Sequence, residues 1–588
     1  MSQPTGSRRW PPIVAMTVAG VMVFLVLPNP LRIPQNNPTA AAEYAPVPGK
    51  TQNNAQANFG ETGIADSSGI GDGGIGEGTL PGSPIPPPPA QFKPRQKNCV
   101  GNPPRQTEDP LSPPCVPFFD ADNGGETYTG VTKDQIIITF YNDLGVVGDM
   151  NLPYKPSEEA SGHQSDYQQT YLRRTIKAML RYYQSRYQTY GRTVHVIAKK
   201  SNGITTPCSQ RQADAAKTRL DHNPFAAVYF GDGGQCYMEY LAEKFKVPTF
   251  GLNSDVERTR YEGFRPYIWG FFPDQEAEAQ WSASFICRKL KGNPARFTDD
   301  PLLEGQTRKF GLAYPSKSQR GPESKQLALL LLKYMDSECG LVPETETFVE
   351  AGNGEAANIM NKWKRAGVTT IICYCVPVQT ENTVTKMQSA AKGIGYLPEW
   401  YWDHASRMYR AIWNQLFGDK QMQSFGVNHH WRGPAFREQR WYQAYLEQEP
   451  DTVPNTRFGF DIYHLFLNLF QALQAAGPNL TPESVERGMF TFNYLGRNDP
   501  TIPVGGYGPY NAQAVGDYTF VDTAMGWWWD PTGTPPDGQS GEGCLRLMNE
   551  DKRYYAGEWP TGDADLFKTG APCNQDDTEI ADPKPGDF

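Results

Sequence analysis

The chain reads as an α/β protein of two doubly wound lobes, preceded by an N-terminal membrane segment and a long disordered linker. Three observations lead there. Strands and helices alternate in one dense region and the alternation then begins again, which argues for parallel sheets covered on both faces. An uncharged apolar run, Ile13–Leu27, follows Arg8 and Arg9. Nineteen of the 51 prolines fall between Pro28 and Pro117, so the proline excess is local. At 588 residues the chain is several times an ordinary domain length, so more than one folded unit is expected. The net charge of −9 argues against a nucleic-acid partner, which requires a basic face. Aromatic residues at 12% can supply a large core.

Residues 1–33 read as a membrane anchor or signal. A basic flank before an apolar run places the N-terminus inside and the remainder outside the cytoplasmic membrane. The small-residue pattern Ala40-Ala41-Ala42 lies far past Leu27, behind four prolines, which favours an uncleaved anchor over a cleaved signal. Residues 34–125 read as a Pro/Gly-rich linker. About 90 residues of such chain reach roughly 50 Å, enough to hold a folded module off a membrane. The letters Gly69-Ile-Gly-Asp-Gly-Gly74 match a dinucleotide fingerprint, but no strand precedes them and no helix follows. Cys99 and Cys115 can close a small loop at the linker's end. Ten widely spaced cysteines behind an export segment read as disulfides.

Past Gly130 the elements follow in order. Gln135–Tyr141 is a buried strand and Tyr167–Tyr190 a long helix that Gly191 ends. Thr193–Ala198, Ala226–Phe230 and Pro248–Leu252 are strands, separated by helices at Gln210–Leu220 and Met238–Phe245. The second series has a helix at Gln275–Leu290 and strands at Lys309–Tyr314, Thr345–Glu350, Val368–Cys375 and Glu399–Asp403. Helices at Lys325–Asp336, Ala356–Arg365 and Thr385–Lys392 separate them, and a long helix, Gly459–Ala476, follows. An aromatic stretch, Tyr518–Trp529, and a polar tail end the chain.

Several stretches carry a family resemblance. Tyr128-Thr-Gly-Val-Thr-Lys-Asp-Gln-Ile-Ile-Ile is similar to the opening strand of type I periplasmic binding proteins, the solute-binding components like those of branched-chain amino-acid transporters. Val228-Tyr-Phe-Gly-Asp-Gly-Gly followed by Val247-Pro-Thr-Phe-Gly, and Phe458-Gly-Phe-Asp-Ile-Tyr-His through Ala475-Ala-Gly-Pro to Glu486, resemble two further family patterns. The resemblance spans Tyr128 to Pro560. It implies two lobes joined by three crossover strands, with residues 126–272 and 454–500 in lobe one, 273–453 and 501–560 in lobe two, and 561–588 as a tail. It also implies a small ligand in the cleft between them, no cofactor, and an ABC permease or a surface protein as partner. Related proteins often carry a disulfide like Cys208–Cys236, whose loops leave neighbouring strands at the same sheet edge. Cys544–Cys573 is expected as a tail pair, and Cys373 and Cys375, alternating on one strand, are expected to stay unbridged.

The loop Gly231-Asp232-Gly233-Gly234-Gln235 lets backbone N–H groups approach an anion at the next helix start, or is a plain tight turn. The resemblance assigns ligand contacts to Gly233, Gly234 and Gln235 and, in the next loop, to Asn253 and Ser254. Asp232 departs from the family's Ser or Thr and would repel a carboxylate. Tyr141 is expected to wall the cleft. In lobe two, Tyr374 and Asp403 end strands. Asp403 either pairs with a ligand ammonium group or caps the helix Ala405–Leu416. Trp400 and Trp402 share one strand face and are expected in the core. The stretch Asn142–Ser165 is an insertion that could form a lid or partner surface.

No HExxH, GxSxG or GxxxxGK[ST] pattern occurs, and His429-His430 are adjacent rather than one helical turn apart, so neither an enzyme nor a metal site is expected. The competing reading is a tethered module of the same fold that binds a protein partner or cell-wall polymer instead of a solute. Mass spectrometry of the native N-terminus tests the tether: the anchor requires the apolar run to be retained, and a mature start at Glu43 would mean a secreted protein.

Overall fold

The computed structural model describes residues 99–100, 104–107, 109–117, 119–153, 164–202, 206–231, 234–252, 256–316, 323–348, 353–374, 383–402, 423–429, 436–456, 458–491, 503–508, 517–534, 542–549, 552–570 and 573. All lie within one compact unit, Gly78–Phe588. The segment Ile13–Leu27 falls outside them, and among the described residues no helix is long and apolar enough to cross a membrane.

The strands are β1 (Cys99–Val100), β2 (Arg105–Gln106), β3 (Gln135–Asn142), β4 (Gly148–Asp149), β5 (Thr193–Lys200), β6 (Ala226–Phe230), β7 (Thr249–Gly251), β8 (Ile268–Gly270), β9 (Phe310–Pro315), β10 (Glu344–Phe348), β11 (Thr370–Cys373), β12 (Glu399–Trp402), β13 (Ser424–Asn428), β14 (Met525–Asp530) and β15 (Cys544–Leu547). The first sheet runs β4-β5-β3-β6-β7-β8, parallel except for the edge strand β4. The second runs β10-β9-β11-β12-β13-β14-β15, parallel through β13 and antiparallel beyond it.

Helices cover both faces of the first sheet. They include α1 (Gln164–Arg186), α2 (Cys208–His222), α3 (Gln235–Phe245) and α4 (Arg258–Gly263). Because side chains alternate along a strand, β3 feeds two cores. Ile136, Ile138 and Phe140 enter one, while Tyr141 joins Ala215, Tyr229 and Tyr237 in the other. The second sheet is served by α5 (Gln275–Phe285), α6 (Glu323–Cys339), α7 (Asn353–Ala366) and α8 (Thr383–Gly393). A short helix α9 (Arg440–Leu446), the long α10 (Gly459–Ala476) and α11 (Pro482–Met489) follow.

Helix α10 is buried nearly all round, its polar stripe of His464, Asn468, Gln471 and Gln474 included. Phe466 stacks on Phe140 of β3 at 6.3 Å, and the Tyr183 hydroxyl of α1 donates to the Tyr463 carbonyl at 3.0 Å. Helix α9 also belongs to this side, since Arg440 donates to the Tyr182 hydroxyl of α1.

The expected linker end at 125 also moves. Residues 104–107 and 109–117 form a strap over α1 and α10. Leu111 and Ser112 are buried, and Gln471 and Gln474 of α10 donate to the carbonyls of Leu111 at 2.5 Å and Pro114 at 3.0 Å. The Tyr463 hydroxyl donates to the buried Asp109 carboxylate at 2.9 Å, whose pKa burial pushes up. Similarly, the tail is not merely polar chain. Trp559 and Leu566 are buried, and Lys289 pairs with Asp565 at 2.6 Å. The aromatic stretch becomes β14: Trp527 and Trp529 face the core that holds Trp400 and Trp402, while Trp528 faces the other way toward Phe297.

Disulfides join Cys99–Cys115, Cys208–Cys236, Cys287–Cys339 and Cys544–Cys573. Cys373 is bonded as well, to a partner outside the described residues. Strand β11 ends at Cys373, so the alternation invoked against a bridge to Cys375 stops short of that residue.

The most enclosed ion pair anchors β12. Arg308 donates to both Glu399 oxygens, at 2.8 and 3.0 Å, and both side chains are 0% exposed. Glu399 also accepts from the Thr370 hydroxyl at 2.7 Å and from the Arg296 and Phe297 amides at 3.1 and 2.9 Å. Glu399→Gln leaves Arg308 buried opposite a neutral group, with Asp563 at 3.6 Å as its nearest remaining carboxylate. A loss of about 3 kcal/mol in unfolding free energy is expected by denaturant titration.

Candidate functional site

In each parallel set the second strand lies outside the first and the third on its inner side, the 2-1-3-4-5 order. Connections leave such a sheet in opposite directions at the boundary between first and third strands, and the crevice there, beyond the carboxyl ends, is where open α/β sheets take ligands. The boundary falls between β3 and β6 in the first sheet and between β9 and β11 in the second. The candidate site is therefore built, among the described residues, from 141–143, 229–231 and 234–235 on one side and 314–316 and 373–374 on the other.

On the first side, the residue at the boundary is Asp143. Its carboxylate accepts from the Tyr229 hydroxyl at 2.8 Å, from Ser201, and from Arg211 Nη1 at 3.4 Å. The Arg211 and Asp143 side chains are 2% and 4% exposed. Burial opposes the Arg211 charge, but Tyr229 and Asp143 outweigh it and hold its pKa above the usual arginine value. Neighbouring Asn142 is fully buried and folds the turn after β3: its amide donates to the Val146 carbonyl at 2.9 Å and its oxygen accepts the Val146 N–H at 3.0 Å. Beyond that turn, Gly148 and Asp149 of the insertion pair with β5 as an edge strand, and Asp149 meets His195 at 2.9 Å.

The glycines of the following loop are explained by this carboxylate and ring. Gly231 has φ +140°, and a Cβ there would lie 2.3 Å from Asp143 Oδ2. A Cβ on Gly234 would lie 2.1 Å from the Tyr229 ring. At both positions glycine makes room for the protein's own side chains, which is the tight-turn reading of the loop. Gln235 opens α3.

Tyr141, expected to wall the cleft, packs into the smaller core of the first sheet. It is buried against α2 and α3, stacked on Tyr237 at 3.8 Å, and its hydroxyl donates to Asp214 at 2.6 Å. Burial, reinforced by Asp214, raises its pKa. The reason is strand parity: Phe140 takes one face and Tyr141 the other. Tyr374, expected to end that strand, directly follows β11 and is buried, its amide donating to the Ala313 carbonyl at 2.9 Å. Trp400 and Trp402 stack at 5.7 Å inside the second core, as expected. Asp232, Gly233, Asn253, Ser254, Asp403 and the helix expected at 405–416 lie outside the described residues.

Sequence reasoning passed over Asp143, Arg211, Tyr229 and Ser201. Asp143 had a usable signal, as the acidic residue directly after the first parallel strand. Arg211 had none, because its partner is 68 positions away. His429 is buried beneath Phe272 at 4.2 Å, with its ring 3.7 Å from Glu278. Among the described residues no group of three or more His, Cys, Asp or Glu could hold a metal ion.

No protein-family model matches the chain, and no curated protein is similar to it in sequence. Solved structures are similar in fold. A solute-binding protein of an ABC transporter from R. palustris, in complex with 4-hydroxybenzoate, is 14% identical with a TM-score of 0.45, covering 74% of this chain and 100% of that one. A leucine-binding protein from Thermotoga maritima is 10% identical with a TM-score of 0.43, covering 67% and 95%. A periplasmic binding protein from Burkholderia mallei is 10% identical with a TM-score of 0.45, covering 74% and 100%. Likeness at this level carries no argument about what this chain binds.

The Asp143 cluster makes its own prediction. Asp143→Asn leaves the Arg211 guanidinium buried without its carboxylate, and denaturant titration should show a loss of about 3 kcal/mol. Tyr229→Phe removes one hydrogen bond to the same carboxylate and should cost about 1 kcal/mol.

Proposed function

We propose that this chain is an extracytoplasmic binding protein that captures a small polar solute, an amino acid or a related compound, between its two halves. It would serve an ABC-type uptake system or a sensor and be held to the cytoplasmic membrane by its N-terminal segment. One observation carries the reading: two doubly wound sheets of the same strand order are joined by crossovers lying side by side, the arrangement in which a crevice can open and close. The disulfides fit an oxidising compartment.

The Asp143 cluster favours a second reading. A resident carboxylate fills the strand ends on the first side, so this half offers no vacant counter-charge to an anionic ligand there. A tethered module that binds a protein partner or wall polymer is consistent with that.

A thermal-shift screen against amino acids, amides, amines and small organic acids separates the two. A specific ligand raises the unfolding midpoint by mass action, and silence across the panel favours the partner-binding reading. If the ligand carries an ammonium group, Asp403→Asn should weaken it by about 2–5 kcal/mol, roughly 30- to several-thousand-fold, in calorimetric titration. Unchanged affinity would assign Asp403 to a helix cap.

A further inference from the structure

The bridges whose two cysteines are both described differ in where they sit. Cys208–Cys236 lies beside the candidate site. Cys208 opens α2 and Cys236 is the second residue of α3, so the bridge ties together the helix starts that follow β5 and β6. Each of these starts also holds a member of the Asp143 cluster. Arg211, in the first turn of α2, reaches Asp143 at 3.4 Å. Gly234 precedes α3 and packs so closely on the Tyr229 ring that a Cβ there would lie 2.1 Å away, while the Tyr229 hydroxyl donates to Asp143 at 2.8 Å. At the N-cap positions, Pro207 and Gly234, no side chain accepts a hydrogen bond from the helix. The bridge is therefore a principal tie between the two helix starts that bring Arg211 and Tyr229 to one carboxylate.

Two features set this bridge apart chemically. The first is access. Cys208 is exposed and Cys236 half-buried, and among the described cysteines no other is exposed; Cys115 and Cys544 are buried. The second is the leaving group. The unsatisfied N–H groups and the positive pole at a helix N-terminus stabilise a thiolate. Neither first turn carries an acidic residue, and Glu239, one turn beyond Cys236, is held by Arg260 at 2.8 and 2.6 Å. Cys287–Cys339 is the contrast. Cys339 ends α6, at the negative pole, and the Met335 carbonyl oxygen lies 3.8 Å from Cys287 Sγ and 3.4 Å from Cys339 Sγ, which opposes a negative charge on either sulfur.

We propose that Cys208–Cys236 is a thiol–disulfide exchange site that controls the strand-end cluster, with a low-molecular-weight thiol as its substrate. The thiolate attacks the accessible Cys208 sulfur. A mixed disulfide forms there, and the electron pair of the old S–S bond leaves on Cys236, whose thiolate the start of α3 stabilises. A second thiolate attacks the thiol-derived sulfur of the mixed disulfide, and Cys208 leaves as a thiolate at the start of α2. Two thiols are thus oxidised to one disulfide, the bridge gains two electrons, and the two thiol protons pass to the cysteines or to solvent. With the bridge open, α2 and α3 are no longer tied at their starts, and Arg211 and Tyr229 lose their common reference. The site concerns the protein's own cluster and stands whether or not the crevice takes a solute.

The test uses the oxidised full-length protein, incubated with reduced glutathione near neutral pH without denaturant, quenched with acid and mapped by differential alkylation and mass spectrometry. Cys208–Cys236 should open at least about tenfold faster than Cys287–Cys339 and Cys544–Cys573, through a transient glutathione adduct on Cys208. Amide hydrogen exchange should then rise in residues 206–215 and 226–231 and stay unchanged in 310–315 and 399–402. The double variant Cys208→Ser with Cys236→Ser should show the raised exchange without any thiol, and the wild-type measurements carry the test if it does not fold. Opening no faster than the other two bridges overturns the exchange site, as does an adduct found on Cys236 alone. Rapid opening with unchanged exchange in 206–215 and 226–231 overturns the control of the cluster.

Discussion

The joint at Gly270 is the constraint on which the rest of the molecule depends. Each sheet buries its own faces, and nothing in strand pairing alone would register one half against the other. The hydrogen bonds from Gly270 and Phe271 to residues 518–521 do so by making two distant chain segments one short ribbon. Glycine is required at this point, since a Cβ on residue 270 would sit 2.5 Å from the Tyr261 hydroxyl. Trp269, packed on Tyr507 at 5.2 Å and on Tyr518 at 4.9 Å, then fixes the ribbon to the first core.

Around that joint, rigidity is distributed unevenly. The first half is sealed by α10, whose surface is covered by β3 and α1 on the inside and by the strap of residues 104–107 and 109–117 on the outside. Buried amides rather than charges hold the strap: Gln474 donates to Gln106 at 2.8 Å and Gln106 donates to the Arg186 carbonyl at 3.2 Å. The second half is sealed by a dense indole layer and by the Arg308–Glu399 pair. Each of the four disulfides with both cysteines described lies within one half, so no such bridge restrains the joint. The crossovers are held to each other by a few backbone bonds.

The strand ends have a different character. At the first sheet, the position where a ligand would meet the protein is taken by Asp143 with Arg211, Tyr229 and Ser201. Gly231 and Gly234 leave space for the Asp143 carboxylate and the Tyr229 ring. The carboxylate at this strand end is thus already satisfied by the protein's own groups.

Much of the alternation of elements was legible in the sequence because it follows from local periodicity, but β8, β13 and the helices α4, α9 and α11 were not read from it. Ala226–Phe230 and Gly459–Ala476 run as the pattern indicated, since a short apolar run bounded by breakers and a long helical stripe leave little choice. The Cys208–Cys236 bridge was also legible, because parallel strands bring their loops to one edge. What the sequence could not settle were facts that depend on which face a residue takes and which distant segment meets it. Tyr141 has the position of a crevice residue but the parity of a core one. The strap, the β14–β15 pair and the packed 552–570 segment look like spacer and tail in one dimension, because their few apolar residues acquire partners only hundreds of positions away. The same holds for Asp143 with Arg211. Local pattern dictates which elements form; the pairing of isolated charged and polar residues is decided only when the sheets close, because burial converts a weak surface charge into one that must find its partner.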